Sequence, residues 1–283
     1  MTHGLKTFAA LAATGLLMAC DGSGGADFGS PLGGRAVTTA TVVDSSGNLS
    51  IGSPSSSNPV TVSLSTDDGR PVALEIDASS NNPSSVVRFD VAQGDTVQVG
   101  PLTTTFRSQD GREFAVIVNP EAVGFEHQSL GAWGNTIAVS NGTLGVASYG
   151  DTTPSASIPA EGTSASYSGL SLGFAEVGGT SFATESGVQV NTPDFKSVTM
   201  VSTGTIGSPL NAGSSGAVDL SSSLDFGSTG TISGNGFQTT INTTGLTGSV
   251  DGRFYGPDAE EVGGTFRATG SGINYFGAFG ANQ

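Results

Sequence analysis

The sequence predicts an all-β chain: an N-terminal β-sheet domain followed by a C-terminal eight-stranded antiparallel β-barrel. Three observations carry this expectation. Glycine accounts for 44 of 283 residues, serine and threonine are abundant and lysine is scarce, a composition of strands and turns. Apolar and polar residues alternate in short runs divided by Asp-Gly and Asn-Gly pairs, and no helical period persists. Beyond residue 160 the runs recur at even spacing, as in a sheet that closes on itself and leaves no free edge.

Residues 1–19 read as a secretory leader. Lys6 forms a basic n-region, and Phe8 to Ala19 is an apolar run interrupted only by Thr14 and Gly15, too short to span a bilayer. Leu17-Met18-Ala19-Cys20 fits a lipobox, in which cleavage falls between Ala19 and Cys20 and the cysteine is lipidated, with palmitate among the expected acyl groups. Cys20 is the single cysteine, so no disulfide can form within one chain and the fold must rely on its hydrophobic core. Acyl chains at Cys20 would hang the protein from a membrane without crossing it. Residues 20–36, rich in Gly, Ser and Asp, read as a flexible tether.

The charge balance is 24 acidic against nine basic side chains, a formal net charge of −15. Such a surface repels phosphate backbones and anionic lipid, which argues against nucleic acid as a partner. It also keeps an exported protein in solution.

Residues 37–155 read as the N-terminal β-domain and a junction. Val60, Val62 and Leu64 alternate with polar residues, Asp68-Gly69 makes a turn, and Val72, Leu74 and Ile76 alternate again. Val87, Phe89 and Val91, then Val97 and Val99, then Phe114, Val116 and Val118 continue the pattern, with Glu75, Arg88, Asp90 and Glu113 facing water and one sheet face buried. Ile137 and Val139, Asn141-Gly142, and Leu144 and Val146 predict a hairpin on a type I′ turn. Pro154 and Pro159 then interrupt the ladder.

Residues 156–283 read as the barrel, with strands near 163–173, 179–184, 187–191, 197–206, 216–224, 229–241, 246–254 and 264–280, the last able to divide in two. Leu172, Phe174, Phe182, Phe195, Leu220, Phe237, Ile241, Phe254, Phe266, Phe276 and Phe279 are expected to fill the interior, with Ser, Thr and Gly outside. Strands so rich in outward Ser and Thr suit a barrel in water better than one in a membrane. Near the end, Phe254-Tyr255-Gly256-Pro257-Asp258-Ala259-Glu260-Glu261-Val262-Gly263-Gly264-Thr265-Phe266 predicts strand, one helical turn over 259–261 closed by the glycine pair, and strand.

This block, with the closing Gly277-Ala278-Phe279-Gly280-Ala281, resembles the barrel domain of the transferrin-binding protein B family of bacterial surface lipoproteins. Leu130-Gly131-Ala132-Trp133, the stretch from Pro154 to Gly169 with Tyr167, and Leu224-Asp225-Phe226-Gly227 resemble further motifs of that family. The resemblance spans roughly residues 125 to 283. It implies a handle-like N-terminal domain, display on the outer membrane, and capture of a host or environmental iron or haem carrier. A TonB-dependent outer-membrane receptor and a surface-lipoprotein assembly modulator are the implied bacterial partners. Asp21, which favours inner-membrane retention in enterobacteria, points the other way. The alternative is a coat or adhesion lipoprotein with no solute ligand.

Catalysis is not expected. His127 is the one histidine of the mature chain, and no G-x-S-x-G elbow precedes a helix. Cofactor and metal are expected to be absent. If haem were bound, His127, Tyr149, Tyr167, Tyr255 and Tyr275 are the available axial ligands, and packing is the expected role of Tyr167 and Tyr255. Asp67-Asp68-Gly69 and Asp258 to Glu261 lack EF-hand spacing. Trp133 is expected to pack between the two domains.

Overall fold

The computed structural model describes residues 30–80, 85–135, 141–210 and 216–283. Ala19, Cys20, the leader and most of the tether lie outside them, as do Ile137 and Val139. The described residues form two antiparallel sheets.

The first sheet contains β1 (Leu32–Val43), β2 (Leu49–Ile51), β3 (Asn58–Asp67), β4 (Arg70–Asp77), β5 (Val86–Asp90), β6 (Thr96–Val99), β7 (Thr103–Arg107), β8 (Phe114–Val118), β9 (Gln128–Asn135) and β10 (Gly142–Gly150). Its order is β5-β4-β3-β1-β10-β9-β8-β7-β6, with β2 beside the end of β1. β1 begins inside the stretch that composition gives to the tether, because Gly34 to Ala36 pair with Tyr149 to Ala147. Asp68 and Gly69 both take positive φ, the type I′ turn expected of that pair. The sheet curls until Phe89 of β5 and Phe106 of β7 stand 5.8 Å apart, nearly closing around a core of Val60, Val62, Leu74, Ile76, Ile117 and Trp133.

Trp133 therefore packs inside this domain and not between the two. Its ring fills the space over Gly145, where a Cβ would stand 2.2 Å from it. The expected Asn141-Gly142 turn is also displaced: Thr143 pairs with Asn135 and Gly142 already pairs with Thr41 of β1, so the β9–β10 connection is longer than two residues. Val91 and Val99 are exposed, since Val91 lies in a 3-10 turn after β5 and Val99 lies at the sheet edge.

The second sheet contains β11 (Ala165–Val177), β12 (Thr180–Thr192), β13 (Ser197–Pro209), β14 (Val218–Asp219), β15 (Phe226–Ser233), β16 (Gly236–Thr243), β17 (Leu246–Tyr255), β18 (Glu261–Gly270) and β19 (Ile273–Asn282), with the short helix α1 (Ser221–Leu224) before β15. β14 aside, each strand pairs with the next in sequence, and β19 returns to β11. This is the eight-stranded up-and-down barrel that the strand spacing predicts.

Three strand limits differ from expectation. The runs 179–184 and 187–191 form one strand, because β11 pairs with it without a break from Thr180 to Thr192. The run 229–241 is two strands turning at Gly234-Asn235, with Gly234 at φ 60°. Residues 216–224 hold only β14 and α1, although Leu220 and Leu224 still enter the core.

Side-chain alternation decides what each barrel face buries. Tyr167, Phe182, Phe195, Phe226, Phe237, Ile241, Phe254, Phe266, Tyr275 and Phe279 point inward. Leu172, Phe174 and Phe276, expected in the interior, point outward and are buried with Phe114, Val116, Val118, Leu130 and Val146 of the first sheet. β8 is consequently covered on both faces, with Ala115 and Ile117 in its own domain's core and its other residues against the barrel. The inner wall also carries polar residues: Ser171 bonds Ser186 at 2.6 Å, Ser186 bonds Ser202 at 2.7 Å and Thr239 donates to Ser228 at 2.8 Å. These hydroxyls satisfy one another, so their burial carries little desolvation cost.

Candidate functional site

Residues 254–264 form a clasp between the two domains. In place of a helical turn, the chain reverses through Gly256 at φ 86° and Ala259 at φ 62°. The Asp258 N–H donates to the Glu260 carboxylate at 2.9 Å, and the buried Tyr167 hydroxyl donates to the Ala259 carbonyl at 2.8 Å. Those bonds hold the left-handed alanine, a conformation that costs an L-residue about 1 kcal/mol or more. Gly263 and Gly264 lie within β18, not at a helix end. β18 starts at Glu261 because Glu261 already pairs with Tyr255 and Asn282.

Glu261 is 3% exposed, and its carboxylate accepts the Glu126 N–H and the His127 N–H across the seam. Burial raises its carboxyl above the usual range, against the lowering effect of those two donors. Beside it, Gln128 donates to the Val262 and Ala281 carbonyls at 3.0 and 3.2 Å, and the Tyr255 hydroxyl meets Ser148 at 3.2 Å. Gly263 and Gly280 leave room for Gln128 and for Phe125 respectively. Phe254 and Phe266 anchor the clasp inside the barrel, where the Phe266 and Tyr275 ring centroids are 4.9 Å apart and Gly277 sits under the Phe266 ring. Pro257 stays exposed at the tip.

Farther along the same junction a groove of about 290 Å³ opens between the outer barrel wall and the β7–β8 side of the first sheet. Leu102, Val116, Val118, Leu170, Leu172 and Ile206 line it, with Glu185 among them. Its shape depends on an irregularity in β13. Register with β12 shifts between Glu185 and Gly187, and Gly204 takes φ 68°, a β-bulge of the kind that re-aims neighbouring side chains. Asp225 pins the bulge: its carboxylate accepts the Gly204 N–H at 2.9 Å, the Thr205 N–H at 3.0 Å and the Thr205 hydroxyl at 2.6 Å. Burial alone pushes the Glu185 carboxyl above its ordinary range.

The other sequence candidates fall elsewhere. Tyr149, Tyr167, Tyr255 and Tyr275 are buried, and loss of solvent raises all four hydroxyls, Tyr149, Tyr167 and Tyr275 to about 12. The Tyr275 hydroxyl faces Thr205, Ser202 and Ser186 inside the barrel but makes no well-formed hydrogen bond there. His127 is half-buried against Gly256 at the clasp. Among the described residues, no group of three His, Cys, Asp or Glu side chains could hold a metal ion. No sequence motif marks the groove, and Asp225 stands out in the sequence only within Leu224-Asp225-Phe226-Gly227.

Comparison with known proteins gives one family match: the C-lobe and N-lobe β-barrels of transferrin-binding protein B, over residues 158–283. Similar solved structures include a double mutant of transferrin-binding protein B from Haemophilus parasuis Hp5, 14% identical, with TM-score 0.46, covering 90% of this chain and 76% of that one. Isotype 1 transferrin-binding protein B from serogroup B Neisseria meningitidis is 15% identical with TM-score 0.44, covering 81% of this chain and 52% of that one. The N-lobe of lactoferrin-binding protein B from Moraxella bovis is 13% identical with TM-score 0.39, covering 88% and 98%. No curated protein matches the sequence.

Proposed function

We propose that this chain, whose residues 158–283 match the barrels of transferrin-binding protein B, is a lipid-anchored surface lipoprotein that captures a host or environmental iron or haem carrier. The observation that carries the reading is the order of parts along one chain. A lipobox ending at Cys20 comes first, then a short polar tether, then two β-domains clasped together, the second of that barrel family. A lipid stalk holds a folded body at a membrane surface, where a soluble carrier can be met and passed to an outer-membrane transporter.

The protein acts by binding in this reading, with no chemical step assigned to it. Purified mature protein on a matrix is expected to retain an iron- or haem-carrying protein from host serum, and radiolabelled palmitate is expected to label the wild type and not Cys20→Ser. Absence of any retained carrier, together with a flat Soret titration with haem, would remove the capture reading and favour the coat or adhesion alternative.

A further inference from the structure

We propose that the groove between β8 and the β11–β13 face of the barrel is a binding site for a small amphipathic cation, an ammonium or guanidinium group on an apolar body, with Glu185 as its counter-ion. The proposal is independent of the carrier reading.

The walls define one half of the ligand. Leu102, Val116, Val118, Leu170, Leu172 and Ile206 make the lining mainly apolar, with the small polar residues Thr103, Thr184 and Ser208 between them, and Leu102 and Ile206 are exposed. A space of about 290 Å³ is near the lower end of small-ligand pockets. It suits a body of a few carbon atoms and not a flat macrocycle.

The carboxylate defines the other half. Glu185 lies on the outer face of β12 directly across from Ile206 on β13. Among the described residues no Lys, Arg or His pairs with it, and it accepts no hydrogen bond there. The residues outside the described set include one basic side chain beyond the leader's His3, namely Lys6. Partly desolvated carboxylates are normally paired or neutralised, and this one faces an apolar cavity with neither. A neutral apolar ligand would leave its charge further stripped of water, and an anion would be repelled. A cation with an apolar body satisfies both features. The chain's overall acidity adds long-range attraction of the same sign.

The bulge gives the site a built character. Gly204 and Thr205 are held by three hydrogen bonds to Asp225, so the rim beside Ile206 is fixed before any ligand arrives.

The test uses the full mature chain and three probes of equal length: hexylammonium, hexanol and hexanoate, titrated by calorimetry and by methyl NMR. Hexylammonium is expected to bind at least ten-fold tighter than hexanol, and hexanoate not to bind. Shifts should be confined to methyls of Val116, Val118, Leu170, Leu172 and Ile206. Glu185→Gln, which keeps shape and removes charge, is expected to bring hexylammonium down to the hexanol level. Equal binding of hexylammonium and hexanol, unchanged binding in Glu185→Gln, shifts located elsewhere, or no binding of any probe would each overturn the proposal. Should Glu185→Gln fail to fold, the three-probe series on the unaltered chain decides alone.

Discussion

Replacing Glu261 tests whether the clasp stabilises the joined domains. In Glu261→Ala the Glu126 and His127 N–H groups lose their shared acceptor at a seam where Glu261 is 3% exposed. A buried donor left unsatisfied costs about 1–3 kcal/mol, so two partly shielded donors set an expected loss of about 2–4 kcal/mol. Glu261→Gln retains a carbonyl acceptor and removes the charge, so its cost at neutral pH should be below about 1 kcal/mol. The pH dependence separates charge from hydrogen bonding. Burial raises the folded carboxyl above its unfolded value, so the fold binds the proton more tightly than the unfolded chain. Stability from this group is then fully present below the unfolded value of about 4.3 and is lost as pH rises through the folded value. Urea denaturation of wild type, Gln and Ala at pH 4 and pH 7.5 reads both effects. Wild type should gain on Glu261→Gln as the pH falls between those two values. Parallel pH profiles for wild type and Gln, or an Ala variant within about 0.5 kcal/mol of wild type, would refute the account.

Asp225→Ala removes three charge-assisted hydrogen bonds from the β13 bulge; a loss of about 2–3 kcal/mol in urea denaturation is expected, with Asp225→Asn intermediate. Gly145→Ala sets a Cβ 2.2 Å from the Trp133 ring, and overpacking of a closed core should cost about 3 kcal/mol and red-shift the single-tryptophan emission. Glu185→Gln should raise stability at pH 7.5 by less than about 1 kcal/mol, because solvent screens the half-buried carboxylate. It should have no effect below the unfolded carboxyl value, since burial raises the folded one.

The all-β class and the closure of the second sheet are legible in the sequence because alternation is set by the pleat and survives in any local window, but the limits of single strands are not: two expected runs are one strand and another is two. What a window cannot hold is the second partner of a strand. Phe114 to Val118 reads as one buried face only until the barrel is known to lie on the other; the unbroken apolar run Phe-Ala-Val-Ile-Val was the signal for double coverage. Size alone would put Phe174 and Phe276 inside, but each stands one residue from an inward neighbour, Ala175 and Tyr275. Period two forbids both of each pair from facing the core. The break expected at Glu185-Ser186 is absent: β12 runs through, and the irregularity falls on β13 at Gly204. The groove was invisible because its walls come from β8 and from β11 to β13, brought together only by folding.

The residues that carry the resemblance to the barrel family and the residues that line the groove are different sets. Tyr167, Tyr255, Gly256, Ala259, Glu261 and Gly263 direct polar groups and backbone freedom to one another, to residues 125–128 and to Ser148, Asp151 and Thr153. Their match therefore accounts for how the two domains are locked and gives no direct information about a ligand. In the groove the balance is reversed: among the described residues the Glu185 carboxylate has no ion-pair partner, and neither Glu185 nor Ile206 takes part in the clasp. A carrier bound elsewhere on the surface would survive Glu185→Gln, whereas an amphipathic cation in the groove would not, so the same variant distinguishes recognition in the groove from recognition outside it.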